Sequence, residues 1–304
     1  MATEEDKARL AQLTGQLLGY TERPLPGLST PKHAAALAAQ MVDSIRRVRY
    51  AHYIRDAEHS PLRADPSSDL FDPLRAAVLS NRAGDVDNAN WLVFLATHFG
   101  KHTVDGWRLS RDIYGRLGMP PFWTWQAVSQ DLPLFTQWIA QVIPLMKADG
   151  VPRRFSNHRK YESLDHIAGV VGSYVGWVLP LGTHADMIRA IHLQVGQNPR
   201  DTFAELYRGM NAVTRFGRLA KFDHLTMLGK LGVSPIEPGS PFMAGATGPL
   251  AGARLLFGVA NLSSAMADQW VTKLGDDLGL GMQVMEDSIC NWQKSPASYQ
   301  RFSG

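Results

Sequence analysis

Apolar residues recur along most of this chain at three- and four-residue spacing, the period of a helix with one buried face. No stretch of six or more residues alternates apolar with polar as a half-buried strand would. The pattern predicts an all-α protein. Start and stop signals place several helices. Asp72-Pro73 pairs an N-cap with proline in the first turn and opens FDPLRAAVLS. Asp85 or Asp87 caps ANWLVFLATHF, which Gly100 stops. That segment is apolar nearly all round, so it is expected to be a central buried helix. Asp105 opens DGWRLSRDIYGRLG, and Gly118 with Pro120 and Pro121 closes it. Asp131 opens a longer helix with Pro144 near its end, and Asn198-Pro199 opens PRDTFAELYRGM. The long connections fall at 60–70, 150–165 and 232–249.

At 304 residues, 45% of them hydrophobic, the chain can bury a substantial core. No composition break marks a linker. The expectation is one helical domain over 1–304, with room for two lobes: a helical extension at 1–70 and a core at 71–304. Cys290 is the only cysteine, which excludes an internal disulfide and a thiolate zinc cluster and suits a reducing cytoplasm. The acidic, amphipathic start MATEEDKARLAQL is unlike a signal peptide, and no run of about 18 uncharged apolar residues predicts a membrane span.

Charge changes the picture locally. Lys and Arg number 31 against 28 Asp and Glu, so the chain is no polycation, yet its cations cluster. Arg46, Arg47, Arg49 and Arg55 form one group; Arg153, Arg154, Arg159 and Lys160, around His158, form another. The second group lies in a loop with Phe155 and Tyr161, a mixture suited to phosphates and stacked bases. Between Glu205 and Asp223 no acid occurs, while Arg208, Arg215, Arg218 and Lys221 do, and Lys230 follows. Lys101 and Arg108 flank a further basic turn, where His98 and His102 lack an acidic partner that would make a metal site. Downstream, the turn around Gly229 and Gly232 and the segment Gly245-Ala246-Thr247-Gly248-Pro249 resemble the two sides of a helix-hairpin-helix, whose backbone N–H groups hold a DNA phosphate. Asp268 lies 20 residues past Gly248, and MEDSICNWQKS near the C-terminus offers Glu286, Asp287, Trp292 and Lys294.

Five blocks, in order, are WLVFLATHFGKH at 91–102, RKYES at 159–163, RFGRLAKFD at 215–223, GATGPLAGARLLFG at 245–258 and EDSICNWQKS at 286–295. Together they resemble the third clade of the alpha-glutamyl/putrescinyl thymine pyrophosphorylase family over about residues 70–304. The resemblance implies a relative of helical DNA glycosylases that works in bacteriophage DNA hypermodification. Such enzymes flip a thymine-like base whose 5-methyl carbon carries pyrophosphate and displace the pyrophosphate with an amino acid, such as glycine, or a polyamine. The implied location is the cytoplasm of a bacterial host.

This chemistry needs cations for the departing pyrophosphate, with Arg215, Arg218 and Lys221 first and Lys101 and Arg108 as helpers. It needs a general base for the amine, Asp223 before Asp287. Arg159 or Lys160 would hold an amino-acid carboxylate. Tyr161 and Trp292 would stack on the extruded base. DNA contacts fall to Arg153, Arg154, His158, Lys230, Gly245, Thr247, Gly248 and Lys294. Mg²⁺ could assist the pyrophosphate, but no acidic cluster stands ready to hold it. The alternatives are a glycosylase using Asp268, a non-catalytic DNA-binding component of a modification complex, and a helical enzyme for a soluble pyrophosphate.

Overall fold

A computed structural model describes residues 3–301, and its described residues form fourteen α-helices and several 3-10 turns, without a β-strand. The all-α expectation holds. The described residues divide into two compact units, one from residues 3–50 with 238–301 and one from 51–237. The first contains α1 (Glu4–Leu18), most of α2 (Pro31–Asp56), α12 (Gly248–Phe257), α13 (Ser264–Leu278) and α14 (Met282–Trp292). The second contains α3 (Pro73–Arg82), α4 (Val86–Phe99), α5 (Arg108–Tyr114), α6 (Trp125–Gln130), α7 (Leu132–Ala148), α8 (Ile167–Val178), α9 (His184–Val195), α10 (Pro199–Gly209) and α11 (Arg218–Lys230).

Most caps are those the sequence offers. Asp72 accepts from the backbone N–H groups of Leu74 and Arg75, Asp85 from Asn88, Asp131 from Leu134 and Asn198 from Arg200. Gly100 ends α4 at φ 67°. Asp105 departs from this reading. Its carboxylate pairs with Arg154, and α5 starts only at Arg108, behind a turn closed by a His102–Gly106 bridge.

α4 is the buried axis of the second unit, packed by α3, α5, α6, α9 and α11. Phe94 stacks on Tyr174 at 3.8 Å between ring centroids and on Phe216 at 5.0 Å. The Tyr174 hydroxyl donates to His184 Nε2 at 2.8 Å, and His184 Nδ1 donates to Asp87 at 2.6 Å. Residues 164–181, around α8, have mean hydropathy 1.2 and a single charged residue, Asp165, so by composition they meet the length and apolarity of a membrane span. The α-helical part is 12 residues, about 18 Å of rise against the roughly 30 Å of a hydrocarbon core.

In the first unit the glycine-rich segment is a packing surface. A Cβ at Gly248 would lie 2.6 Å from Cys290 Sγ, and one at Gly252 would lie 2.3 Å from the Ile289 carbonyl oxygen. Glycine at these two positions lets α12 and α14 approach closely. The position a side chain would take at Gly248 therefore faces α14. The turn at 228–233 is a helix stop: Val233 N–H bonds the Leu228 carbonyl, Gly232 N–H bonds that of Gly229, and Gly232 has φ 67°. A helix C-terminus presents carbonyls, the wrong polarity for a phosphate. Residues 231–247 separate α11 from α12, so no tight hairpin joins them.

Gly252→Ala should destabilise the protein by roughly 1–3 kcal/mol, because the overlap is with backbone rather than with a mobile side chain. Gly15→Ala on α1, where nothing lies within 4 Å, should be neutral or stabilising. Thermal midpoints of the two variants check the contrast; equal shifts would remove the close-approach explanation.

Candidate anion and nucleic-acid interface

The last carbonyls of a buried helix need donors from elsewhere. At the C-terminal end of α4 they come from the 150–163 loop. Ser156 N–H bonds the Phe99 carbonyl at 2.9 Å, and Arg159 Nε bonds that of His98 at 3.2 Å. A Cβ at Gly100 would lie 2.0 Å from Ser156 Oγ, so glycine admits the loop. Farther out, Arg154 grips Asp105 through two bonds of 2.8 and 2.7 Å. Two basic segments separate in sequence thus form one surface.

At its centre the Glu162 carboxylate, whose side chain is 0% exposed, is shared by two arginines. Oε1 lies 3.4 Å from Arg159 Nη2, and Oε2 lies 2.8 Å from Arg215 Nε. Arg215 Nη2 also donates to the Tyr161 carbonyl at 3.0 Å, and the residue sits at φ 59°, a region that favours glycine. Arg159 is buried; its Nε and Nη groups reach His98, Tyr161 and Glu162, and its guanidinium lies 5.0 Å from the Phe216 ring. Arg159 Nη2 approaches His98 Nδ1 at 3.4 Å, and since arginine only donates, Nδ1 accepts. Burial, then the charges of Arg159 and Arg215, push His98 well below the ordinary histidine range.

Around this cluster Lys101, Lys160, His158 and Tyr161 are exposed, and Lys101 Nζ lies 6.0 Å from the Trp107 ring. Arg108 Nε is buried without a hydrogen-bond partner. Of the residues predicted to hold the pyrophosphate or the amine, Arg215, Lys101, Lys160 and Tyr161 are exposed. Arg159 and Arg153 are framework instead. Arg153, its side chain 7% exposed, pairs with Asp112 at 2.6 Å and with Asp149. Arg218 opens α11 over the Phe222 ring, behind Gly217, an N-cap without a side-chain bond. Lys221 is buried, donates to Asn211 at 2.6 Å and lies 4.1 Å from the Tyr207 ring; burial lowers its pKa. Asp223 is half-buried two residues on, and Lys230 ends that helix.

The remaining candidates belong to the first unit. Asp287 accepts from Ser44 at 2.8 Å and from Arg47 at 3.4 Å. Arg46, Arg47 and Arg49 are likewise neutralised by Asp6, Asp43, Glu5 and Asp287, while Arg55, in the second unit, pairs with Asp56. Trp292 is 1% exposed with its N–H on the Pro296 carbonyl, so its ring is core rather than a stacking surface. Lys294 is exposed beside Asn291, while Gly245 and Thr247 are exposed before α12. Asp268 accepts the Met243 N–H at 2.9 Å. Among the described residues no three His, Cys, Asp or Glu side chains converge, so no residue set is assigned to Mg²⁺.

Two features escaped sequence reading. Glu162 is the acid nearest the basic run 153–160, and that proximity was its signal. His224 gave none: it is fully buried on α11, neither ring nitrogen within hydrogen-bond geometry of a partner, and burial pushes its pKa to about 3.

A family model described as alpha-glutamyl/putrescinyl thymine pyrophosphorylase clade 3 matches residues 32–304. The match begins inside the expected N-terminal extension. No curated relative and no solved structure matches the chain.

The buried histidines set an acid limit. The unfolded chain takes up protons near pH 6.5 that folded His98 and His224 refuse, so stability falls as pH drops below about 6.5, by roughly 1.4 kcal/mol per pH unit for each. For His224 that loss continues toward its folded value of about 3. Urea unfolding at pH 7 and pH 5 should show the slope, and His224→Leu should flatten it by about one histidine's share. An unchanged slope would mean His224 titrates normally.

Proposed function

Since the chain belongs to the alpha-glutamyl/putrescinyl thymine pyrophosphorylase family, clade 3, we propose that this thymine-modifying enzyme is an amine transferase. In this reading it replaces the pyrophosphate of 5-pyrophosphoryloxymethyl-deoxyuridine in DNA with an amino acid or a polyamine, forming a C–N bond, in the cytoplasm of a phage-infected bacterium. The observation that carries the reading is Arg215. Its guanidinium is held by Glu162 and the Tyr161 carbonyl, neither bond uses Nη1, and the side chain is 36% exposed. Lys101, Lys160 and Tyr161 lie on the two loops that meet at the end of α4, and Arg108 opens α5 directly after the first of them.

Departure of pyrophosphate places negative charge on its bridging oxygen, and a cation fixed beforehand stabilises that charge without reorganising. Arg215 supplies it, with Arg218 from the first turn of α11; Lys221, buried on Asn211, is left to the framework. Asp223, on the same helix, takes the proton from the attacking amine. Tyr161, exposed at 57%, stacks on the base once it has left the duplex. Lys160 pairs with the carboxylate when the amine is an amino acid.

DNA containing the pyrophosphorylated base, incubated with the protein and a pool of amino acids and polyamines, should yield a nucleoside whose mass is the substrate less pyrophosphate plus one amine. Arg215→Met should lower the transfer rate roughly 10²–10³-fold and Asp223→Asn roughly 10²–10⁴-fold. Lost bases would replace this reading with a glycosylase. Unchanged nucleosides with salt-dependent DNA binding would replace it with a binding module. Full activity of Asp223→Asn would remove that residue from the mechanism.

A further inference from the structure

Glu162 lies outside the groups assigned to the reaction, yet it is where their geometry converges. Its side chain is fully buried, and each oxygen serves a different arginine. A carboxylate withdrawn from water in this way is retained only when its charge is matched and its lone pairs are occupied. Arg159 alone would match the charge. Arg159 is itself committed: it bonds the His98 carbonyl, approaches His98 Nδ1 and donates to the Tyr161 hydroxyl. The second oxygen is directed at Arg215, over the shorter contact of 2.8 Å.

We infer that Glu162 is a positioning residue: it holds the Arg215 guanidinium by Nε, so that the Nη1 edge is presented in one orientation to a diphosphate. This rests on the reading that Arg215 binds pyrophosphate. A surface arginine on a flexible stem samples many rotamers, and a ligand must first collect them. Arg215 has little such freedom. Its backbone is in the left-handed region, its Nε is on Glu162 and its Nη2 is on the Tyr161 carbonyl. The Tyr161 carbonyl sits one residue before Glu162, so a single stretch of the 150–163 loop makes both grips. Arg159 anchors that stretch from beneath by tying it to the end of α4. Glu162 therefore acts through Arg215 and touches no reacting atom.

The test uses the full-length chain and inorganic pyrophosphate, with affinity read by calorimetry and folding by thermal midpoint. Glu162→Gln, which keeps the shape and removes the charge, should weaken pyrophosphate binding on the order of tenfold. Glu162→Asp keeps the charge but withdraws the carboxylate by one methylene. It should give a comparable loss of affinity with a smaller fall in midpoint, which covers the case in which Glu162→Gln does not fold. The distinguishing readout is the double variant. On an Arg215→Met background, either Glu162 substitution should cost no further affinity, whereas a merely structural Glu162 would add its loss to that of Arg215→Met. Undiminished binding in both Glu162 variants, beside a weakened Arg215→Met, would overturn the positioning role and leave the Arg215 assignment standing. Undiminished binding in Arg215→Met, or none in the wild-type chain, would overturn the inference together with the pyrophosphate contact. The transfer assay on modified DNA would still decide the activity separately.

Discussion

The second unit depends on the burial of α4 on every side. Its residues from Asn88 to Phe99 are nearly all inaccessible to water. A helix enclosed in this way cannot leave its terminal groups to solvent, since each orphaned carbonyl or N–H would cost more than a typical hydrogen bond contributes. Both ends are therefore closed by chain from elsewhere. At the N-terminal end Asp85 caps the helix, and Asp87 takes the His184 ring. At the C-terminal end Ser156 and Arg159 supply donors. The need to close that end draws the 150–163 loop across the 100–107 turn and assembles cations from both at one place. In this respect the candidate site is a consequence of the core.

The same closure sorts the cations into two kinds. Those whose donors are consumed by the closure are structural: Arg159 on His98 and Glu162, Arg153 on Asp112 and Asp149. Those left at the rim can meet a ligand: Lys101, Lys160 and the outer edge of Arg215. Sequence carries no mark of this division, because Arg153, Arg154 and Arg159 look alike in a basic loop. Buried arginines are retained only with partners, and the partner residues, Asp112, Asp149 and Glu162, come from helix and loop positions that the composition of the loop does not indicate.

The helices were legible because their determinants are local. The Asp72-Pro73 and Asn198-Pro199 pairs cap in the structure as their chemistry requires. The unbroken apolar run of α4 marked it as central, and it is. What failed depended on what a residue faces. Asp105 satisfies the cap pattern yet is taken by Arg154, forty-nine positions away. Gly248 and Gly252 have the composition of a phosphate loop, but one helical turn apart they form the groove that receives α14. Trp292, an aromatic near charged residues, lies in the core. Periodicity reports that a face exists and is silent about what covers it.

The charge balance of the cluster follows from these placements. Two guanidinium groups share one carboxylate, and the imidazole beneath them is held neutral, so the group carries one positive charge in excess. A protonated His98 would add a second charge with no acceptor to spare, and the energetic cost of that state is why burial and the arginines together depress its pKa. Since Arg159 is enclosed and Arg215 is 36% exposed, the excess charge meets solvent only at Arg215. An anion approaching this surface therefore encounters a single oriented cation backed by a low-dielectric interior, where its field is screened less than that of a lysine standing free in water.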